Sequence, residues 1–372
     1  MKRKMKILIL CNYANGLYLF RKEVLAAFLE RGYETAVSVP PDENCGKIES
    51  LGVRLIPTAF ERRGNNPIHD GKLFLRYLKL LKEEKPDVVL TYTIKPNLYG
   101  GLACRLRKVP YLVNVTGLGT AMEQPGMLGH ILFRFYRVAT KRAACVFFQN
   151  ETNRKSMLDK KAVQGRNRLL PGSGVNLKEH PFVPYPKEDG GIVFLAVIRI
   201  MKDKGIEEYL EAAEKITSEN AIARFYLVGE YEEETRALYE PRIEALTAKG
   251  VIRYFGHIDN VPEVMAQSHI IVHPSYHEGL SNVLLEAAAC GRMVLASDVP
   301  GCRETLCQGK TGFLFQPGDA ESLLAAIRTS LSLTRQQREE MGVLGRQHVE
   351  GAFDRQKVIE AYLEEIQKAV NK

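Results

Sequence analysis

The sequence predicts an α/β protein of two doubly wound domains facing a cleft. Three observations predict it. Short apolar, β-rich runs alternate with amphipathic helical stretches along most of the 372 residues. The strands are near-continuous apolar runs, as expected of a parallel sheet covered on both faces. The alternation breaks once, where Pro171, Gly172, Gly174, Pro181, Pro184, Pro186, Gly190 and Gly191 have linker composition, and then restarts.

In the first domain, assigned to residues 1–180, Met5–Cys11 reads as a strand and Leu17–Arg31 as a helix closed by Gly32. Strands follow at Tyr33–Val39 and Val53–Pro57, then a helix at His69–Lys85 ended by Pro86, and a strand at Asp87–Thr91. A helix at Asn97–Lys108, a strand at Pro110–Val115, a helix at Leu128–Ala143 and a buried strand at Ala144–Gln149 complete it. The second domain, residues 190–350, has strands at Ile192–Ile198, Ala223–Val228, Val251–Phe255, Ser268–His273, Met293–Ser297 and Gly312–Phe315. Its helices are Gly205–Ser218, Tyr231–Ala248 and Ser281–Ala289, and the chain is helical from Asp319 on. In such folds ligands bind beyond the carboxyl ends of the strands, and two facing domains put the site in the cleft between them.

Apolar residues make up 45% and charged residues 26%, the balance of a soluble globular protein. No apolar run approaches the roughly 18 residues of a membrane span. The opening Lys2-Arg3-Lys4 mimics a signal peptide, but the apolar stretch after it is short and Asn12 and Asn15 follow at once. It reads as a first strand, and the protein is expected in the cytosol. Seven scattered cysteines without a C-x-x-C pair read as small buried hydrophobes in a reducing compartment rather than a disulfide or zinc framework. Residues 1–186 carry 31 lysines and arginines against 15 acids, a net +16, whereas 187–372 carry 21 against 29, a net −8. One half is therefore suited to an anionic partner.

The chemistry-bearing residues cluster in the second half. His273-Pro274-Ser275-Tyr276-His277-Glu278-Gly279-Leu280-Ser281-Asn282 joins a buried strand to a helix that carries Glu286. Gly279 allows a backbone shape closed to other residues and close approach of a ligand. Ser281 and Asn282 are N-cap types, and free amides at Ser281, Asn282 and Val283 would seat a phosphate. Glu286, one turn in, can accept hydrogen bonds from two ribose hydroxyls. The spacing of two glutamates alone is common; the strand end, the glycine and the helix start give it weight. Arg199 and Lys204, with Gly205 opening a helix, fall at the carboxyl end of the domain's first strand and suit a diphosphate. No D-x-D pair exists in the chain, which fits a site where cations and amides, not a metal, neutralise the leaving group.

The combination R-x4-K-G followed by P-S-x2-E-G-L-S-N-V-L-L-E-A resembles family 4 of the retaining glycosyltransferases. The resemblance covers essentially the whole chain. It implies the GT-B fold, two Rossmann-like domains with a C-terminal helix (351–372) crossing back to the first. It implies that Arg199 and Lys204 grip the donor diphosphate and that Glu278 meets the donor sugar near the reacting carbon. Glu286 would bind the ribose, Gly279, Leu280, Ser281, Asn282 and Val283 would offer main chain to sugar and phosphate, and Ile258 would meet the base. Glu278, Arg199 and Lys204 are the expected catalytic residues. The donor is a nucleotide sugar, with no further cofactor and no metal.

In the first half, Asn15-Gly16 opens the first helix, and in the resemblance this glycine lets the loop approach the donor phosphate. Thr91-Tyr92-Thr93-Ile94-Lys95-Pro96-Asn97 and Asn114-Val115-Thr116-Gly117-Leu118-Gly119-Thr120 end two neighbouring strands. They look like a bacterial subgroup that adds N-acetylhexosamines to undecaprenyl-diphosphate-linked sugars. Lys95, Asn97, Thr116, Gly117 and Glu123 are the acceptor or phosphate candidates, and no general base is assigned. The stretches Leu73–Lys85 and Leu128–Arg142 mix apolar residues with lysine and arginine, the pattern of a helix lying on anionic lipid. The protein is accordingly placed at the inner face of the bacterial cytoplasmic membrane, acting on a lipid-diphosphate-linked sugar. Two other readings stay open: a nucleotide-sugar epimerase of GT-B-like fold, and a non-enzymatic polyanion binder. No nucleic-acid-binding module is evident, so nucleic acid is not an expected partner.

Overall fold

The protein is described by a computed structural model covering residues 3–60, 66–119, 122 and 126–371. Two compact units emerge: residues 1–173 with 356–372, and residues 174–355. The first holds a seven-stranded parallel sheet in the order β3-β2-β1-β4-β5-β6-β7. Its strands are β1 (Lys6–Leu10), β2 (Glu34–Val39), β3 (Arg54–Pro57), β4 (Val88–Tyr92), β5 (Tyr111–Val115), β6 (Cys145–Phe148) and β7 (Asn167–Leu169). The strand order reverses direction at β1, because β2 and β4 both pair with it.

Strand β1 shows why these runs are apolar throughout. Ile7 and Ile9 pack with Val24, Leu25 and Phe28 of the helix Ala14–Glu30 and with Val358, Tyr362 and Ile366 near the C-terminus. Leu8 and Leu10 point the other way, onto Leu73, Tyr77 and Leu80 of the helix Pro67–Glu84 and Tyr136 of the helix Met127–Thr140. Alternate side chains of a strand face opposite sides, so two helix layers demand two apolar faces. The C-terminal helix Arg355–Val370 is part of this unit: Tyr362 is fully buried and donates to Asn114 Oδ1 at 2.6 Å.

The second unit holds six parallel strands in the order β10-β9-β8-β11-β12-β13. They are β8 (Ile192–Val197), β9 (Ala223–Val228), β10 (Ile252–Tyr254), β11 (Ile270–His273), β12 (Met293–Ser297) and β13 (Gly312–Phe315). Where the chain enters and leaves this unit, Val175 pairs with Asp354. Gly174, at φ +66°, lies so close that a Cβ would be 2.5 Å from Arg355 Cα.

The predicted alternation matches these elements, with local differences. Four elements lack the expected signal: the helices Cys45–Glu49, Glu151–Asp159 and Val261–Gln267, and strand β7. The stretch expected as one helix from Asn97 begins instead as a π-helical turn, Pro96–Gly100, before the α-helix Gly101–Arg107. No helix among the described residues is long and apolar enough to cross a membrane.

Candidate active site

The second unit assembles its chemistry where β8 and β11 end. Lys204 closes a short 3-10 turn, Lys202–Lys204, and Gly205 follows at φ +71°. A Cβ on Gly205 would sit 2.1 Å from the Pro274 carbonyl oxygen, so only glycine lets the two loops touch. The amide of Tyr276 donates to Asp203 O at 2.9 Å across the same seam. This contact explains the K-G pair in chemical terms: the glycine brings the loops together, and the lysine is thereby delivered to Glu278.

Lys204 Nζ donates to Glu278 Oε1 at 2.7 Å and to Ser275 Oγ at 3.2 Å. His273, the last residue of β11, reaches the same Glu278 oxygen through Nε2 at 3.0 Å. A carboxylate only accepts, so that nitrogen carries the proton. Burial pushes the Glu278 carboxyl up, but the hydrogen bond from His273 and the charges of His273 and Lys204 outweigh it and hold it well below the usual range. Glu278 is thus a fixed negative charge, unsuited to giving a proton at neutral pH. The other ring nitrogen of His273 is buried without a hydrogen-bond partner among the described residues.

The helix Asn282–Ala289 starts from Ser281, whose hydroxyl accepts from Leu284 N at 3.4 Å. The expectation of three free amides needs correction. Ser281 N donates to Gly301 O at 2.8 Å, leaving those of Asn282 and Val283 open. Gly301, not Gly279, carries the left-handed backbone here: at φ +85° it packs so that a Cβ would lie 2.7 and 2.8 Å from the carbonyl oxygens of Glu278 and Gly279. Leu280 is buried among Val175, Leu285 and Phe353, so only its main chain can serve a ligand. Val283 and Ile258 are half-buried against one apolar cluster, which brings the end of β10 and the start of this helix together.

Glu286, one turn into the helix, has no carboxylate hydrogen bond among the described residues; His180 Nε2 stands 4.0 Å away. Burial, opposed by Arg355 and reinforced by Glu179, pushes its carboxyl up to about 7. Arg199 follows the end of β8 but is half exposed and ion-paired with Glu232, not joined to Lys204 and Glu278. Among the described residues no three His, Cys, Asp or Glu side chains gather as a metal site.

Two family profiles match this chain: "Glycosyl transferase 4-like" over residues 6–150 and "Glycosyl transferases group 1" over residues 178–348. The chain is a family 4-type glycosyltransferase. It is 29% identical to the N,N'-diacetylbacillosaminyl-diphospho-undecaprenol alpha-1,3-N-acetylgalactosaminyltransferase of Campylobacter jejuni, over 87% of this chain and 88% of that one. It is 26% identical to the UDP-Gal:alpha-D-GlcNAc-diphosphoundecaprenol alpha-1,3-galactosyltransferase of Escherichia coli, over 75% and 74% of the two chains. HepE of Anabaena, solved in complex with UDP, superposes with a TM-score of 0.81 at 17% identity, covering 98% of this chain and all of that one. These likenesses establish the two-domain GT-B fold.

The glycosyltransferase treats its first-half candidates differently. Gly16 lies inside the helix Ala14–Glu30 and packs by the Tyr13 ring rather than lying in an open phosphate loop. The first amide of that helix, Ala14 N, is taken by Asp42 Oδ2 at 3.0 Å, a carboxylate where an anion was expected. Lys95 is ion-paired with Asp70 at 2.8 Å, and Tyr99 donates to the same carboxylate at 2.9 Å, so it is not the open cation expected. Asn97 is buried, accepting from Thr91 Oγ1 at 2.8 Å and donating to Asn114 O at 2.8 Å. Its amide holds β4 to β5 and leaves nothing for a substrate. Thr116 and Gly117 are half-buried on the loop after β5, and Glu123 lies outside the described residues.

Sequence reasoning passed over His273 and Gly301. His273 had a readable signal, a polar residue closing an apolar strand just before the loop that carries Glu278. Gly301 had none, because its role arises only from the tertiary contact with the Glu278–Gly279 peptides.

Proposed function

We propose that this glycosyltransferase moves an N-acetylhexosamine from a UDP-sugar to a hydroxyl of a polyprenyl-diphosphate-linked glycan, with retained configuration and without a metal. The observation that carries the reading is the Lys204–Glu278–His273 cluster beside the open amides of Asn282 and Val283. Relatives whose names specify undecaprenyl-diphosphate-linked sugars support the acceptor class.

In this reading the donor diphosphate binds over the amides of Asn282 and Val283, with Lys204 and Arg199 as its cations. Arg199 leaves Glu232 to do so, at small cost, since an exposed pair contributes about 0–1 kcal/mol. Glu286 accepts the two ribose hydroxyls and Ile258 offers its peptide to the base. The bond from the anomeric carbon to the diphosphate breaks, and the positive charge that builds on the sugar ring is stabilised by Glu278. The acceptor oxygen bonds to the same face, and its proton passes to the departing phosphate oxygen.

The membrane partner belongs to the same proposal. The helix Met127–Thr140 exposes Met127 (81%) and Ile131 (54%) ahead of Arg134 and Arg137, and residues 127–142 contain no acid. The helix Pro67–Glu84 likewise exposes Ile68 and Leu75 beside Lys72 and Arg76. Apolar anchors beside cations suit the anionic inner leaflet of a bacterial cytoplasmic membrane.

The test is a panel of UDP-sugars with a polyprenyl-diphosphate sugar acceptor, read by mass and by the anomeric configuration of the product, with and without EDTA. We expect transfer from a UDP-N-acetylhexosamine, retained configuration and no loss in EDTA. Transfer restored by magnesium overturns the metal-free part. Epimerised UDP-sugar without transfer overturns the whole.

A further inference from the structure

The first unit has a second recess at the opposite end of its sheet. It lies at the amino ends of β5 and β6, whereas Asn97 and Thr116 lie at the carboxyl ends; a five-residue strand separates the two levels by about 16 Å. The recess encloses about 450 Å³, and its rim carries Arg105, Lys108, Arg142 and Arg166. Its floor is formed by Val109, Pro110, Tyr111, Ala143 and Ala144.

The four cations are not equivalent. Arg166 is held by Glu365 through two hydrogen bonds, at 2.6 and 2.7 Å, and its charge is spent there. Arg105 donates to the Val138 carbonyl at 3.0 Å, which fixes its guanidinium at the end of the helix Met127–Thr140. No acid pairs with Arg105, Lys108 or Arg142 among the described residues. Two helices end here, Gly101–Arg107 and Met127–Thr140. Each helix terminus supplies the equivalent of about half a negative charge. Two such ends amount to about one charge, so dipole compensation leaves roughly two of the three cations unbalanced. Val138 (45% exposed), whose carbonyl accepts from Arg105, adjoins this rim and gives it an apolar edge.

We infer that this recess is an anion site, separate from the transferase site, for a phosphate ester with an apolar part. Arg105, Lys108 and Arg142 hold the phosphate, and the floor of Pro110 and Ala144 with Val138 receives the carbon next to it. Two sources offer that chemistry: the headgroup of an anionic phospholipid, and a free phosphate ester.

The experiment compares the full chain with two charge-matched variants. Lys108→Gln with Arg142→Gln removes two of the three unpaired rim cations; Arg134→Gln with Arg137→Gln removes two cations of the neighbouring helix outside it. Binding is measured on phosphatidylcholine vesicles with and without phosphatidylglycerol, and melting temperature with and without inorganic phosphate. If surface charge alone acts, either pair weakens vesicle binding by about twenty-fivefold, roughly fivefold per cation. A headgroup site makes the rim pair lose at least about tenfold more than its control, because charge-assisted hydrogen bonds go with the charge. A free-ester site shows instead as a phosphate-dependent rise in melting temperature that the rim pair abolishes and the control pair keeps. Equal vesicle losses, together with no phosphate effect or one that survives in the rim pair, overturn the inference. Neither readout uses sugar transfer, so the outcome is independent of the proposed reaction.

Discussion

The two units share an architecture and treat the carboxyl ends of their sheets differently. After β11, the helix Asn282–Ala289 keeps the amides of Asn282 and Val283 open, with Lys204 held close by on Glu278. After β1, the helix Ala14–Glu30 has its first amide closed by Asp42, and the neighbouring cation Lys95 is closed by Asp70. A helix N-terminus attracts anions in either unit, and each nearby lysine is paired with a carboxylate; what differs is that only the first unit sets a carboxylate on the helix's first amide. The fold therefore offers the same binding device twice and narrows it once, by placing Asp42 on the first amide.

This contrast can be broken at several points. Lys204→Ala should have the largest effect, lowering kcat by about a hundredfold to a thousandfold, the range for losing one charge-stabilising donor. A variant with near wild-type turnover places the diphosphate elsewhere. Next, Glu286→Gln should raise the donor KM by about tenfold to a hundredfold, as hydrogen bonds to a charged acceptor are lost. The same residue gives a pH signature. Its carboxyl titrates at about 7 in the free protein, and ribose hydroxyls donate to the ionised form, so donor affinity should rise from pH 6 to 8 and level off above. The Gln variant should show a flat profile; an unchanged slope there assigns the titration to another group.

Gly301→Ala tests how the loop is held. With φ at +85° and two carbonyl oxygens inside 3 Å of the new Cβ, it should cost about 1–3 kcal/mol of stability and lower kcat by moving Glu278. Gly117→Ala, where nothing lies within 4 Å, should stay within about 0.5 kcal/mol in thermal or urea unfolding. Equal costs would mean that the Glu278 loop is not braced from Gly301. The smallest effect is expected of Asp42→Ala, about 1 kcal/mol of stability with the donor KM unchanged. A fall in KM would show that Asp42 had been excluding a phosphate from a functional site.

Local and tertiary determinants divide the elements along the same physical line. Strands β9, β12 and β13 were legible to the residue, because apolar runs between glycines and charged turns carry their own boundaries. Strand β7, Asn-Arg-Leu at the sheet edge, pairs only with β6 and has no apolar run to announce it. The helix Glu151–Asp159 buries only Asn153 and Met157 and leaves a weak periodic trace. In the candidate site, the placement of Lys204, Glu278 and Glu286 at a strand end and a helix start was legible because it is local in sequence. The closing of Lys95 by Asp70, of Asn97 by Thr91 and Asn114, and of Ala14 by Asp42 was not. Each depends on which loop the fold places opposite, and composition does not distinguish a cation awaiting a ligand from one already paired.

The burial of Tyr362 against Asn114 has a consequence for synthesis. The second unit is one uninterrupted segment, whereas the first takes its last helix from residues made after the second is finished. On the ribosome the first unit waits, with the side of its sheet that will receive Val358, Tyr362 and Ile366 uncovered, while the second is translated and closes. The unit that begins the chain is the last to be complete, and during that interval its uncovered face is where a chaperone would be needed.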